Sequence, residues 1–164
     1  MITTNADEFL GYANQCNVRP DRSIATIETS YPVLQNIVSN SPILLGSIVN
    51  RTKIGRSIQL DGDKLIFCVP GLYLVTYSAS AVWTTLPYGT NEAIIRLSLN
   101  QRFLAGSETR VQVLTPDIVE NQKLNLAKTV LVPVTTRNSS LTLISTSSQI
   151  MGFINTTVTV VKVG

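Results

Sequence analysis

The chain has 164 residues, of which 44% are hydrophobic and 14% are charged, which suits a single globular domain with a sizeable core. Thirteen Lys and Arg against ten Asp and Glu give a net charge of +3. This charge is small and scattered along the sequence, so we expect no nucleic-acid partner. A chain with few charges has more uncharged surface to bury against another subunit, and we expect it to assemble with copies of itself.

Histidine is absent, which removes the commonest general base and excludes Ser-His and Cys-His nucleophilic arrangements. The few carboxylates sit mostly in turns, as at Asp61, Asp63 and Asp117, where they favour turn structure over paired acid-base chemistry. We therefore expect no enzyme, no catalytic residue and no cofactor. Asp61-Gly62-Asp63 lacks the remaining ligand spacing of a calcium loop, so we favour a hairpin there and expect no metal.

The amino-terminal part is rich in Asn, Thr, Asp and Arg and has only short apolar patches. We interpret residues 1–40 as an extended anchoring arm and residues 41–164 as the head domain. Phe9, Leu10 and Tyr12 are the candidate anchoring residues of the arm. The alternative is a disordered leader or a strand that completes the sheet. The first residues do not resemble a secretory signal, and no apolar run reaches the ~18 residues of a membrane span, so we expect no membrane insertion.

The two cysteines, Cys16 and Cys68, lie far apart and show no CxxC or Cys/His spacing, so they indicate no metal site. We favour two free thiols, as in a protein made in a cytosol. A 16–68 disulfide is the alternative in an oxidising compartment.

From Tyr31 onward, short β-branched runs alternate with turn residues, and no stretch keeps a helical period for long. This pattern predicts an all-β sandwich or barrel. The predicted strands are 33–38, 43–49, 57–60, 64–69, 72–83, 92–99, 110–114, 124–134, 141–146 and 154–163.

The clearest strand covers residues 72–83, where period two predicts one buried face. That face carries Tyr73, Val75, Tyr77, Ala79, Ala81 and Trp83, whereas the opposite face is mixed and small. In the last strand Val158 and Val160 share one face and Val161 and Val163 the other. Because both faces of this strand are apolar, we expect it to be central or interfacial.

The segment 63–79, DKLIFCVPGLYLVTYSA, resembles the tumour-necrosis-factor and complement-globular-head superfamily, whose hallmark is an apolar strand, Pro-Gly and a long aromatic strand. The later segments are similar to that family's last strands, namely AIIRLSLNQ at 93–101, LAKTVLVPV at 126–134, SLTLI at 140–144 and TVTVVKV at 157–163. The resemblance covers the chain from about Leu44 to its carboxyl end.

This resemblance implies a ten-strand jelly-roll β-sandwich that forms a homotrimer, with one sheet of each subunit around the threefold axis. Leu72, Leu74, Val161 and Val163 are the candidate trimer-interface residues. The chain is most similar in character to trimeric head fibre and capsid decoration proteins of bacteriophages. That similarity implies a virion protein made in the host bacterial cytoplasm, whose arm contacts capsid or other virion proteins.

Two other functions remain open from the sequence. A receptor-binding head would recognise a host surface glycan or protein through an aromatic loop with Trp83, Leu86 and Tyr88, for which core or interface packing is the competing interpretation. A secreted TNF-like ligand would predict a 16–68 disulfide or another extracellular staple.

Overall fold

A computed structural model describes Cys16 and residues 25–52, 57–83, 90–114 and 122–164. These residues form thirteen strands: β1 (Thr26–Tyr31), β2 (Gln35–Ile37), β3 (Ser41–Pro42), β4 (Ser47–Arg51), β5 (Ile58–Asp61), β6 (Lys64–Phe67), β7 (Gly71–Val82), β8 (Thr90–Leu99), β9 (Arg102–Phe103), β10 (Thr109–Leu114), β11 (Lys123–Val134), β12 (Ser139–Ser145) and β13 (Met151–Lys162). None of the described residues forms a helix long and apolar enough to cross a membrane.

The strands form two antiparallel sheets that pack face to face. Sheet A has the order β11-β7-β13-β1-β4, and β2 also pairs with β13. Sheet B has the order β10-β8-β12-β6-β5, and β3 and β9 pair with β12 and β8. The all-β jelly-roll sandwich expected from the sequence is confirmed, and the last strand, β13, is central in sheet A.

The core lies between the two sheets and follows the predicted alternation of β7. Tyr73, Val75 and Tyr77 are fully buried. Tyr73 and Tyr77 each carry a hydroxyl that needs a hydrogen-bond partner inside the protein. The Tyr73 hydroxyl donates a hydrogen bond of 2.6 Å to the Val69 carbonyl oxygen, and the Tyr77 hydroxyl donates one of 2.5 Å to the Ser107 carbonyl oxygen. The core therefore also fixes the segments that precede β7 and β10.

The body begins earlier than the sequence predicted. β1 and β2 fall inside the segment assigned to the arm, yet β1 pairs with both β13 and β4 and β2 pairs with β13. Ile27 and Thr29 are the inward residues of β1 and are fully buried. Residues 25–40 therefore belong to the sandwich, and for β1 and β2 the alternative of strands that complete the sheet is the one observed.

The predicted strand 43–49 does not exist as one element. Instead β3 belongs to sheet B and β4 to sheet A, so the chain crosses the sandwich between them. Gly46 makes the crossing with a φ of 78°, and the Gln35 side chain holds the crossing segment. Its amide oxygen accepts a 2.8 Å hydrogen bond from the Leu44 amide, and its amide nitrogen donates one of 3.1 Å to the Leu44 carbonyl.

The preference for two free thiols was wrong, because Cys16 and Cys68 form a disulfide across a sequence separation of 52 residues. The disulfide packs with Val69 and Ile66 beyond the end of β6. It ties the amino-terminal segment to the sandwich at the end where β7 begins.

Candidate interaction surface

The two outer surfaces of the sandwich differ in charge. On sheet B, Arg110 forms an ion pair of 2.8 Å with Glu92 and a second with Glu108, and Arg96 also pairs with Glu108. The hydrogen bond from Arg110, followed by the neighbouring cations, lowers the pKa of Glu108. A charged, salt-bridged surface of this kind suits contact with water.

Sheet A presents an outer surface of different chemistry, which we call the A face. Cross-strand partners in an antiparallel sheet point to the same side, so the register of β11, β7 and β13 defines its members. They are Leu72, Leu74, Thr76, Ser78 and Ser80 on β7; Asn125, Ala127, Thr129, Leu131 and Pro133 on β11; and Thr157, Thr159 and Val161 on β13. None of these residues is charged, and most are exposed or half-buried. Two charged residues lie on the same side at the margins of the A face: Lys123 of β11, opposite Val82, and Glu28 of β1, opposite Thr159.

One half of the A face is apolar. Leu74 lies opposite Leu131 on one side and Val161 on the other. Leu74 and Leu131 leave 38% and 52% of their surface exposed. Val163 extends this row, because its amide donates a 2.8 Å hydrogen bond to the Leu72 carbonyl. Exposed apolar side chains grouped on a sheet without charge are typical of the centre of a protein interface.

The other half of the A face is lined by hydroxyl groups that pair across the strands. The Thr76 and Thr129 hydroxyls lie 2.9 Å apart, and those of Ser78 and Thr157 lie 2.8 Å apart. The Ser80 hydroxyl donates a 2.6 Å hydrogen bond to the Asn125 side-chain oxygen. Because these groups already have partners within the chain, this half can be covered by another surface at a small desolvation cost.

A bulge in β13 determines which residues in the second half of the strand point outward. The register of β13 against β7 shifts between Ile154 and Thr157, and Asn155 has a φ of 54°. Phe153 points into the core before the bulge, whereas Val158 and Val160 do so after it. The one extra residue in β13 changes the parity of the strand, which leaves Val161 on the A face.

The predicted interface residues Leu72, Leu74, Val161 and Val163 meet at one end of the A face. The sequence analysis missed Leu131, whose side chain is as exposed as that of Val163. The signal was present, because inward residues that are apolar except at Lys128 alternate with Asn125, Ala127, Thr129, Leu131 and Pro133 along β11. Applying the period-two test to that strand would have found them.

The structure places Trp83 in the core, with only 2% of its surface exposed, so its ring is not presented for stacking on a sugar. This agrees with the competing interpretation of core packing. Leu86 and Tyr88 of the same predicted patch lie outside the described residues, as do Phe9, Leu10 and Tyr12 of the predicted anchor. Among the described residues, no group of His, Cys, Asp and Glu is arranged to hold a metal ion.

No protein-family model matches the sequence, and no curated protein matches it. Solved structures do match. Murine APRIL at pH 5.0 aligns with a TM-score of 0.58 and 14% identity, over 86% of this chain and 100% of that chain. The Eiger TNF of S. frugiperda aligns with a TM-score of 0.54 and 11% identity, over 86% of this chain and 92% of that chain.

The globular domain of the zebrafish complement 1qA protein aligns with a TM-score of 0.50 and 9% identity, over 80% of this chain and 94% of that chain. At these identities the likeness concerns the fold. The chain therefore has the tumour-necrosis-factor-like jelly-roll fold, a sandwich of two antiparallel sheets.

Proposed function

We propose that the chain is a non-catalytic module that forms a homotrimer through its A face. The observation that carries this proposal is the uncharged row of Leu131, Leu74 and Val161 on the outside of sheet A. Fully burying a leucine side chain contributes about 1.5–3 kcal/mol relative to exposure. Three copies that cover one another would bury the row in each subunit, and the family resemblance implies this threefold arrangement.

We further propose that the trimer is a structural component of a bacteriophage particle, a head fibre or capsid decoration protein attached through its amino-terminal arm. The position of the arm supports this assignment. Ala25 and the Cys16–Cys68 disulfide lie at the same end of the sandwich as the start of β7. Strands β7 and β10 end, and β8 and β11 begin, at the opposite end. One end would then face the particle and the other the surroundings.

A second candidate function, a secreted TNF-like ligand, is favoured by one observation. The Cys16–Cys68 disulfide is the covalent cross-link that this alternative predicts, since disulfides persist in extracellular compartments. They also persist on virion surfaces, so the disulfide suits both functions. A receptor-binding role for the 83–89 and 115–122 connections is compatible with either.

Particle incorporation distinguishes these functions. In phage particles purified by density gradient from host cells that express the chain, we expect it to co-sediment with the capsid. A variant lacking residues 1–24 should remain trimeric in solution but be absent from the particles. The matched control is the full-length Cys16→Ser variant, which loses the disulfide but keeps the arm and should still be incorporated. Recovery of the intact chain only as free secreted protein would refute the particle assignment, and loss of trimerisation on deletion would place the arm in the core.

A further inference from the structure

A second exposed apolar surface lies at the margin of sheet A, on β4. All five residues of β4 are exposed, and β4 pairs with β1 but with no other described strand. Ile48 lies opposite the fully buried Thr29, so its side chain is on the core side of the sheet. It nevertheless leaves 36% of its surface exposed, and Val49 and Leu44 leave 57% and 43%. The margin of the sheet is therefore apolar and, within the described part of the chain, uncovered.

An open strand edge of this kind is normally protected. The outward N–H and C=O groups of an edge strand can pair with any extended chain, and proteins cover such edges or place charges on them. Arg51 is the only charged residue of β4, and its guanidinium donates a 2.7 Å hydrogen bond to the Ile58 carbonyl. A bulge interrupts the pairing of β4 with β1 but leaves the apolar side chains exposed. At the opposite margin of the sandwich, by contrast, the edge strands β10 and β11 lie against each other.

The disulfide brings the amino-terminal segment to the margin that carries β4. Cys16 is joined to Cys68, with their Cα atoms 4.8 Å apart. The Cys68 amide donates a 2.7 Å hydrogen bond to the Ser57 carbonyl. The next residue, Ile58, accepts the hydrogen bond from Arg51 at the end of β4. A continuous set of contacts therefore leads from Cys16 to the last residue of β4.

The segment that precedes Cys16 is long enough to follow this edge. It has fifteen residues, which lie outside the described residues. Its apolar side chains include Phe9, Leu10 and Tyr12, four to seven residues before Cys16. An extended chain advances about 3.3 Å per residue, so these side chains reach about 13–23 Å from Cys16, which spans the length of β4. In an added strand Leu10 and Tyr12 would share one face and Phe9 would lie on the other.

We infer that the segment before the disulfide docks along the free edge of β4 in its own chain. Its aromatic and leucine side chains then cover Ile48 and Val49, and its backbone pairs with the edge, as in other cases of strand addition. The tether favours this occupant over a separate molecule, because a segment on a short linker has an effective concentration in the millimolar range. The inference goes beyond the proposed function, since it concerns the free subunit and holds whether or not a particle later receives the arm.

Photo-cross-linking of the full-length chain tests the docked position. Tyr12 is replaced by p-benzoylphenylalanine, and the cross-linked peptides are identified by mass spectrometry. We expect the cross-link to join position 12 to residues 44–51 and to leave the mass of one chain in denaturing gels. Val49→Lys should lower its yield severalfold, because an ammonium group held against apolar side chains loses hydration. Val38→Lys is the matched control, since Val38 is similarly exposed, at 58%, but lies in the turn between β2 and β3.

Amide hydrogen exchange gives an independent measurement. A docked segment protects the outward amides of β4, so deletion of residues 1–15 should speed their exchange about tenfold, the effect of one lost hydrogen bond. Exchange in β10, the edge strand of sheet B, should not change. Cys16→Ser should give an intermediate effect on β4, because the segment loses its tether.

Three results would overturn the inference: cross-links elsewhere on the sandwich, cross-links that join two chains, or unchanged exchange of β4 after the deletion. Equal cross-link yields in Val49→Lys and Val38→Lys would also overturn it. Neither measurement depends on the number of subunits or on a particle. Such a result therefore leaves the proposed trimer and its attachment as they stand.

Discussion

Leu74 of β7 lies directly opposite Leu131 of β11, and both side chains point away from the core. The pair lies in the uncharged A face, next to Val161 of β13. Each sheet of the sandwich has one face in the core, so this row is left over after the core is complete. We propose that the same row of another subunit covers it.

Leu131→Asp is expected to convert the assembly to monomers, because a carboxylate in an apolar interface loses its hydration without gaining a partner. Size-exclusion chromatography with light scattering measures the change. The matched control is Ile150→Asp, since Ile150 is even more exposed, at 65%, but lies in the connection before β13. Dissociation by both variants, or by neither, would count against the A face as the interface.

Gly46→Ala should destabilise the fold far more than Gly62→Ala. Both glycines have positive φ values, 78° and 63°, so both substitutions carry a conformational cost of about 1–2 kcal/mol. At Gly46 a Cβ atom would also lie 2.1 Å from the Ser30 carbonyl oxygen, whereas at Gly62 it would meet nothing within 4 Å. Urea unfolding measures the free energy of unfolding of each variant. Equal decreases in the two variants would show that the β3–β4 crossing is not tightly packed.

Cys16→Ser is expected to lower the free energy of unfolding by about 2–4 kcal/mol, because the disulfide restricts the unfolded chain. The wild-type chain in reductant should lose a similar amount, while reductant should leave Cys16→Ser unchanged. Denaturant titrations with and without dithiothreitol provide all four measurements. Insensitivity of the wild type to the reductant under unfolding conditions would argue against the 16–68 bond.

Stability is expected to fall at alkaline pH. Burial raises the pKa of Tyr73 from 10.0 to about 12, and burial followed by the charge of Glu108 raises the pKa of Tyr77. Above pH 10 the unfolded phenol loses its proton while the folded one keeps it, so stability present below pH 10 is lost as pH approaches 12. In urea unfolding at pH 7 and pH 11, Tyr73→Phe should show a smaller loss than the wild type. An equal loss would contradict this explanation.

The sequence predicted the core better than the edges of the fold. Period-two alternation identified the buried residues of β7 because each inward position is apolar. It missed β1, where buried Thr29 interrupts the apolar pattern, and the separation of β3 from β4 at Gly46. Both depend on tertiary contacts, with the Gln35 side chain satisfying the backbone at Leu44.

The candidate surface was predicted in part. Alternation along single strands predicted Leu72, Leu74, Val161 and Val163. That Leu131 lies beside Leu74 follows only from the pairing of β11 with β7. The disulfide also depends on tertiary structure, because sequence spacing does not reveal that Cys16 and Cys68 have Cα atoms 4.8 Å apart. Cross-strand register and the path of the amino-terminal segment were the missing information.

Sedimentation equilibrium of the full-length chain at micromolar concentration tests the central claim, burial of the A face between like subunits, most directly. The account predicts the mass of three 17.9 kDa chains, with dissociation in Leu131→Asp. A stable monomer with the Leu74 and Leu131 row open to water would contradict it.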